Sequence, residues 1–220
     1  MQPLILVGSS GHARVIADIV KCGKQYRIVG LVDDYRRVGE SEGCYEILGR
    51  VDDIEAIGLR VNAQSCVIAI GDNWNRARMV DKILKMAPGF SYASVFHPGS
   101  VVAKSATLGE GTVVMPGAVI GPGCKIGRHC IINTGASADH DCVLGDYSSL
   151  APGAVLGGGV LVGDYAAVSI GSTVIQRIAI GANTVVGAGA VVTRDLPEKV
   201  LAYGVPAKVI RSRSEGEKYL

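Results

Sequence analysis

His140 stands between two carboxylic acids, Asp139 and Asp141, in a chain with four histidines, His12, His97, His129 and His140. A carboxylate beside an imidazole fixes its tautomer and raises its basicity. A general base needs both when it takes a proton from a sugar amine or hydroxyl. Eighteen residues on lies Gly157-Gly158-Gly159, a strip without side chains where a ligand can lie against backbone. The same residues read equally well as a solvated turn histidine. A second constellation is the loop Gly8-Ser9-Ser10-Gly11, between an apolar run and a helical pattern. Its N–H groups, with the helix N-terminus, can hold a phosphate. The full GxGxxG fingerprint is absent, so the loop reads equally as a structural turn. Asp33 ends the next apolar run, where an α/β nucleotide site places an acid toward a ribose or base.

The elements that position these groups differ between the two parts of the chain. In residues 1–95, apolar runs at 4–7, 28–32 and 66–70 alternate with helical spacing at 12–21 and 77–86. The first helix is expected to bury Val15, Ile16, Ile19 and Val20, and the second Met79, Val80, Ile83 and Leu84. Strand–helix–strand order predicts a small Rossmann-like parallel α/β domain. In residues 96–220 the period becomes six. Every sixth residue from Val102 to Val192 is Leu, Ile or Val, except Ala138, just before His140. The next position is Gly at 109, 121, 127, 145, 157, 163, 181 and 187. Two residues before each aliphatic, from 106 to 190, the chain carries Ala, Ser, Thr or Cys everywhere except Val160 and Ile178.

A six-residue unit without slippage predicts a parallel β-helix. The aliphatic points inward, the small residue packs beside the next corner, and Gly is expected to relieve the turn. Three units close one coil of eighteen residues, and about five coils stack at the ~4.8 Å strand spacing. The N-terminal domain is expected to cover the first coil, and residues 196–211 the last. Cys124, Cys130 and Cys142 fall in the small-residue slot and read as buried filler. His129 and His140 lie in different registers, so stacked histidine metal ligands within one subunit are not expected, and no metal is.

Composition narrows the class. A net charge of +2 over 220 residues gives no support for nucleic acid or an anionic membrane as partner. Residues 1–8 lack a basic stretch and run into the glycine loop, so no secretory leader is expected. The most apolar stretch, 153–175, carries Asp164 and several glycines, so no membrane insertion is expected. Six cysteines without a CxxC pair fit a reduced, cytoplasmic setting.

The hexad pattern resembles the left-handed β-helix acyltransferases, which use acetyl-CoA, and the handedness is taken from that likeness. The whole chain resembles the bacterial sugar acetyltransferases related to sialic acid O-acetyltransferase and the bacillosamine-pathway N-acetyltransferase. The features that carry this are Gly8-Ser9-Ser10-Gly11-His12-Ala13, Leu31-Val32-Asp33-Asp34, Ile70-Gly71-Asp72-Asn73, His97-Pro98, Asn133-Thr134, His140-Asp141 and Tyr203-Gly204-Val205-Pro206-Ala207-Lys208.

The resemblance implies His140 as base and Asp141 as its orienter. It implies a nucleotide held by the glycine loop with His12, Arg14, Asp33, Asp34 and Gly71, and an acceptor sugar near Asn133. It implies CoA along Gly158, Ile170 and Ala188, its phosphates near Pro206 and Lys208, and sites shared between subunits of a homotrimer. Ser149 stands where several relatives carry a second histidine, and the resemblance implies that it binds the cofactor, taking over hydrogen bonding near the thioester. The expected function is N-acetylation of a nucleotide-linked 4-amino-deoxysugar in bacterial surface-glycan biosynthesis. The alternatives are a sugar O-acetyltransferase and a non-catalytic nucleotide-sugar-binding β-helix protein.

Overall fold

The computed structural model describes residues 1–219. The N-terminal domain runs β1 (Gln2–Val7), α1 (Gly11–Cys22), β2 (Tyr26–Val32), β3 (Ser41–Glu42), β4 (Tyr45–Gly49), α2 (Ile54–Val61), β5 (Ser65–Ile68), α3 (Asn73–Met86) and β6 (Ser91–Tyr92). Its sheet order is β3-β4-β2-β1-β5-β6, parallel apart from the edge pair β3–β4. β1 therefore lies between β2 and β5, and the loops after these three strands open on one crevice, the usual ligand position of such sheets. Two helix faces differ from the sequence expectation. On α1, Val15 is exposed, and Ala13, Ile16, Ala17, Ile19 and Val20 are buried. On α3, Leu84 is exposed, and Arg76 is buried with Ala77, Val80 and Ile83.

From Val95 the chain winds into a left-handed β-helix of two-residue strands. They form three parallel sheets, each strand pairing with the one eighteen residues on. The inward aliphatics pack in one column-like core, with Cys124, Cys130 and Cys142 fully buried among them. The first strand, Val95–Phe96, extends the repeat one unit before Val102. At the other end the hairpin of Val200–Gly204 and Ala207–Ser212 continues one sheet past Val185–Val186.

The corner chemistry corrects the sequence reading. The glycines after each aliphatic do not adopt left-handed backbone. Every sixth residue from 111 to 189 does: Gly111, Gly117, Gly123, His129, Gly135, Asp141, Tyr147, Gly153, Gly159, Tyr165, Gly171, Arg177, Asn183 and Gly189. The glycines after the aliphatics serve close approach between coils. At Gly121, for example, a Cβ would lie 2.8 Å from the Asp139 carbonyl carbon of the next coil.

The N-terminal domain does not cap the first coil. It packs against the side of one sheet, where Val113, Met115 and Ile131 join Leu4, Leu6, Ile16 and Ile19 in one cluster. The outward positions Val95, Val113 and Ile131 of this sheet are apolar, which suits them to receive α1, and Val102 and Leu108 at the first coil stay partly exposed.

Arg76 holds the two domains in register. Its Nε donates to the His129 carbonyl at 2.8 Å and its Nη2 to the Tyr147 carbonyl at 2.9 Å. The remaining donors reach the Ile70 and Gly71 carbonyls and Asn73 Oδ1. All five guanidinium N–H groups are thus satisfied. Asn73 Nδ2 adds bonds to the Tyr165 and Ala166 carbonyls at 3.2 and 3.1 Å. Beside it His129, Tyr147 and Tyr165 stack at 5.2 Å intervals, flanked by Tyr92 and Trp74.

Two expectations follow. Arg76→Ala strands several buried carbonyls and is expected to cost about 3 kcal/mol in denaturant unfolding, whereas a loss under about 1 kcal/mol would contradict the clamp. Burial, and then the Arg76 charge, push the His129 imidazole down to about 4. The unfolded chain takes up that proton near pH 6.5, so this contribution to stability is present above pH 6.5 and is lost as pH falls toward 4. His129→Asn, which tolerates the left-handed backbone, should flatten that part of the stability–pH curve.

Candidate functional site

His140 occupies the corner between the strands Ser137–Ala138 and Val143–Leu144. Asp141 takes the left-handed position, φ +60°, which short polar side chains tolerate. That geometry turns its carboxylate back onto the ring, with Oδ2 2.8 Å from His140 Nδ1. Asp139 Oδ1 accepts the His140 backbone N–H at 2.8 Å. The Asp141 hydrogen bond, and then the Asp139 charge, raise the imidazole above its ordinary pKa. In the next coil a Cβ on Gly158 would collide with His140 Nε2, so a side chain there would displace the ring. The imidazole is well exposed at this corner.

The other expected site residues gather in two cavities. The first, about 1220 Å³, opens at the C-terminal ends of β1, β2 and β5. Gly8, Ser10, Asp33, Asp34 and Gly71 line it. Gly8 has φ +103°, and a Cβ there would lie 3.1 Å from the Ala69 carbonyl oxygen, so the loop needs glycine. Asp33 spends both carboxylate oxygens on organising the rim: Ser9 Oγ donates at 2.6 Å, and the Tyr35 and Arg36 N–H groups at 2.7 and 3.1 Å. Asp34 pairs with Lys82 at 2.9 Å and accepts the Val51 N–H at 3.1 Å. Burial works to raise its pKa, but Lys82, the Val51 N–H and Arg50 outweigh it, and the net shift is downward.

The second cavity, about 520 Å³, lies between the N-terminal domain and the β-helix sheet it packs on. His12, Asn133, Ser149, Ile170 and Ala188 share its walls with Gly71. His12 Nε2 is buried without a partner, and burial, then Arg76, push this imidazole down to about 4. The ring is therefore neutral at neutral pH, with Nε2 buried and unpartnered. Asn133 Oδ1 accepts the Thr134 N–H at 2.8 Å.

Some expected residues stand elsewhere. Arg14 pairs with Glu42 at 3.1 Å and lines neither cavity. Gly11 opens α1 without lining either. Pro206 and Lys208 are exposed at and beside the hairpin tip. His140 and Gly158 line neither cavity, so one chain does not bring the imidazole to Asn133 and Ser149. Sequence reasoning missed Lys82, Arg78 and Lys85, which line the first cavity from α3, and the tail residues Lys218 and Tyr219. The i, i+3/i+4 spacing of the three cations on α3 was a usable signal.

Comparisons with known proteins fit this geometry. Residues 3–83 match the family described as PglD N-terminal domain, and residues 105–137 and 123–158 match the bacterial transferase hexapeptide repeats. The fold is shared with PerB from Caulobacter crescentus in complex with CoA and GDP-perosamine, and with variants of it described as perosamine N-acetyltransferase: for PerB, TM-score 0.88, 38% identity, 96% of this chain and 98% of that one. The chain belongs to this family of hexapeptide-repeat sugar N-acetyltransferases.

Another family member, the acetyltransferase domain of PglB from Neisseria gonorrhoeae FA1090 in complex with acetyl coenzyme A, gives a TM-score of 0.86 at 29% identity, over 95% of this chain and 99% of that one. UDP-N-acetylbacillosamine N-acetyltransferase of Bacillus subtilis (strain 168) is 37% identical over 114 residues, 52% of this chain and about half, 51%, of that protein. Among the described residues no helix is long and apolar enough to cross a membrane.

The Asp141 contact has a direct readout. In an NMR titration His140 should titrate above 6.5, and Asp141→Asn should lower its midpoint. An unchanged midpoint would mean that the carboxylate does not govern the ring.

Proposed function

We propose that the chain transfers acetyl from acetyl-CoA to the 4-amino group of a nucleotide-linked 4-amino-deoxysugar, acting as a homotrimer in bacterial surface-glycan biosynthesis. The observation that carries this reading is the His140–Asp141 pair poised over side-chain-free Gly158, in a chain that matches a CoA- and GDP-perosamine-bound relative over nearly its whole length. The nucleotide occupies the first cavity and the sugar extends toward Asn133 and His12 in the second. CoA runs along Gly158, Ile170 and Ala188, with its phosphates near Pro206 and Lys208.

The His140 corner comes from an adjacent subunit. Outward-facing Val119 and Val155 on one side of that corner, and Val143 and Leu161 on the other, are 39–49% exposed, as an interface between copies requires. An N-acyl product is favoured over an O-acyl one by the relatives, which are named as N-acetyltransferases.

The chemistry is direct acyl transfer. The thioester is already activated, so the amine nitrogen attacks its carbonyl carbon without an acyl-enzyme. His140 Nε2 takes the amine proton as the C–N bond forms. The C–S bond then breaks, and the departing CoA thiolate takes that proton back from His140, giving the amide, free CoA thiol and a neutral ring. Throughout, Nδ1–H stays hydrogen-bonded to the Asp141 carboxylate, which steadies the imidazolium. Only the neutral ring acts, so the acid limb of kcat/KM should follow the raised His140 pKa, with activity lost as pH falls through it.

The test is release of CoA thiol with GDP- and UDP-linked 4-amino sugars, each beside its 4-hydroxy counterpart. His140→Asn and His140→Ala should keep the trimer in light scattering and lose about 10²–10⁴-fold in turnover. Trimeric variants with near-normal turnover would remove His140 as base. Acetylation of the hydroxy sugar alone would make the enzyme an O-acetyltransferase.

A further inference from the structure

The two cavities share two lining residues, Gly71 and Lys218. Gly71 follows β5 beside the glycine loop, and Lys218 arrives from the far end of the chain. A nucleotide sugar that places its nucleoside in the first cavity and its hexose in the second must carry its diphosphate past this junction.

The tail that delivers Lys218 is held at several points. Glu217 bridges Arg211 through both carboxylate oxygens, at 2.6 and 3.2 Å, and accepts the Ser214 N–H at 3.2 Å. Arg213 Nη2 donates to the Glu217 carbonyl. Lys199 pairs with Glu215 at 2.8 Å. Gly216, at φ +71°, lies against the Trp74 indole, where a Cβ would be 2.8 Å from Nε1. Tyr219 Oη accepts the Asn73 N–H at 3.1 Å, which ties the tail to the start of α3.

These contacts distribute charge unevenly. Arg211 and Arg213, the other cations of the second cavity, share Glu217 as a carboxylate partner. In the first cavity Arg36 is paired with Glu40 and Glu42, and Lys82 with Asp34 and Asp52. Lys218 has no carboxylate partner among the described residues, although both of its neighbours in the tail are anchored. Arg78 and Lys85 are also unpaired there, but they line only the first cavity.

From this we infer that the C-terminal tail is part of the acceptor site, with the Lys218 ammonium binding the diphosphate of the nucleotide sugar where the two cavities meet. This rests on the nucleotide-sugar reading above. The CoA diphosphate is the other source of the same chemistry. The nucleotide sugar is favoured because Lys218 lines the cavity of the glycine loop as well as the one that holds Ile170 and Ala188.

Calorimetric titration of the full-length protein with GDP, UDP and dTDP, with the matching nucleosides and with CoA, tests the inference. Lys218→Met is expected to weaken the tightest-binding nucleoside diphosphate about ten-fold, leave its nucleoside and CoA within about two-fold, and be rescued by Lys218→Arg. In the thiol assay the KM for the nucleotide sugar should rise with little change in kcat. Equal diphosphate binding by wild type and Lys218→Met overturns the inference and leaves the nucleotide-sugar reading standing. Weakening confined to CoA assigns Lys218 to the other substrate and equally overturns it. Wild-type protein that binds none of the three diphosphates overturns the nucleotide-sugar reading itself, and the inference with it.

Discussion

The eighteen-residue coil, closed by three hexads without insertion, fixes where every outward side chain of the β-helix stands. It places residues 140 and 158 directly over one another, so a glycine in one coil makes room for an imidazole in the next. It also lines up the outward positions Val113, Ile131, Ser149, Ala167 and Val185 as a single face. The first two of these receive the N-terminal domain, and the others form a wall of the second cavity. A one-residue slip in any corner would reverse inward and outward side chains beyond it and dismantle both features.

A second dependence follows. A cavity between two domains has a fixed shape only if the domains cannot slide. Arg76 supplies that restraint by binding backbone carbonyls at the same corner of two successive coils, at His129 and Tyr147, as well as the loop after β5. The same loop carries Gly71, the residue common to both cavities. Domain register and the proposed acceptor path therefore share one buried guanidinium.

The coil was legible in the sequence because each position repeats one physical demand: an aliphatic inside, a small residue beside it, a glycine where the next coil approaches. The left-handed corner positions were harder to read, because Tyr147, Tyr165, His129 and Arg177 occupy them alongside Gly, Asp and Asn. Arg76 was hidden because its partners are mostly main-chain oxygens, which leave no trace in residue type. On α3 a period error put Leu84 inside, and starting the helix at Ala77 instead of Asn73 left Arg76 outside it. The glycine loop, Asp33 and Asp34 were visible as a cluster, but Asp33 turns out to bind its own rim. The tail was illegible for a different reason: Lys218 reaches the cavities only after a hairpin reverses the chain and Glu217 latches it. Nor could pattern alone reveal that His140 and Asn133 stand apart within one subunit.

That separation makes the proposed sharing of one site between two copies directly measurable in mixed trimers. His140→Asn subunits keep an intact cavity, and Ser149→Trp subunits keep an intact imidazole but fill the cavity. Each homotrimer should be inactive. Trimers reassembled from an equal mixture should recover about a quarter of wild-type thiol release, because that share of interfaces pairs a good cavity with a good imidazole. Mixed trimers as inactive as their parents would place the whole site within one chain and contradict the account.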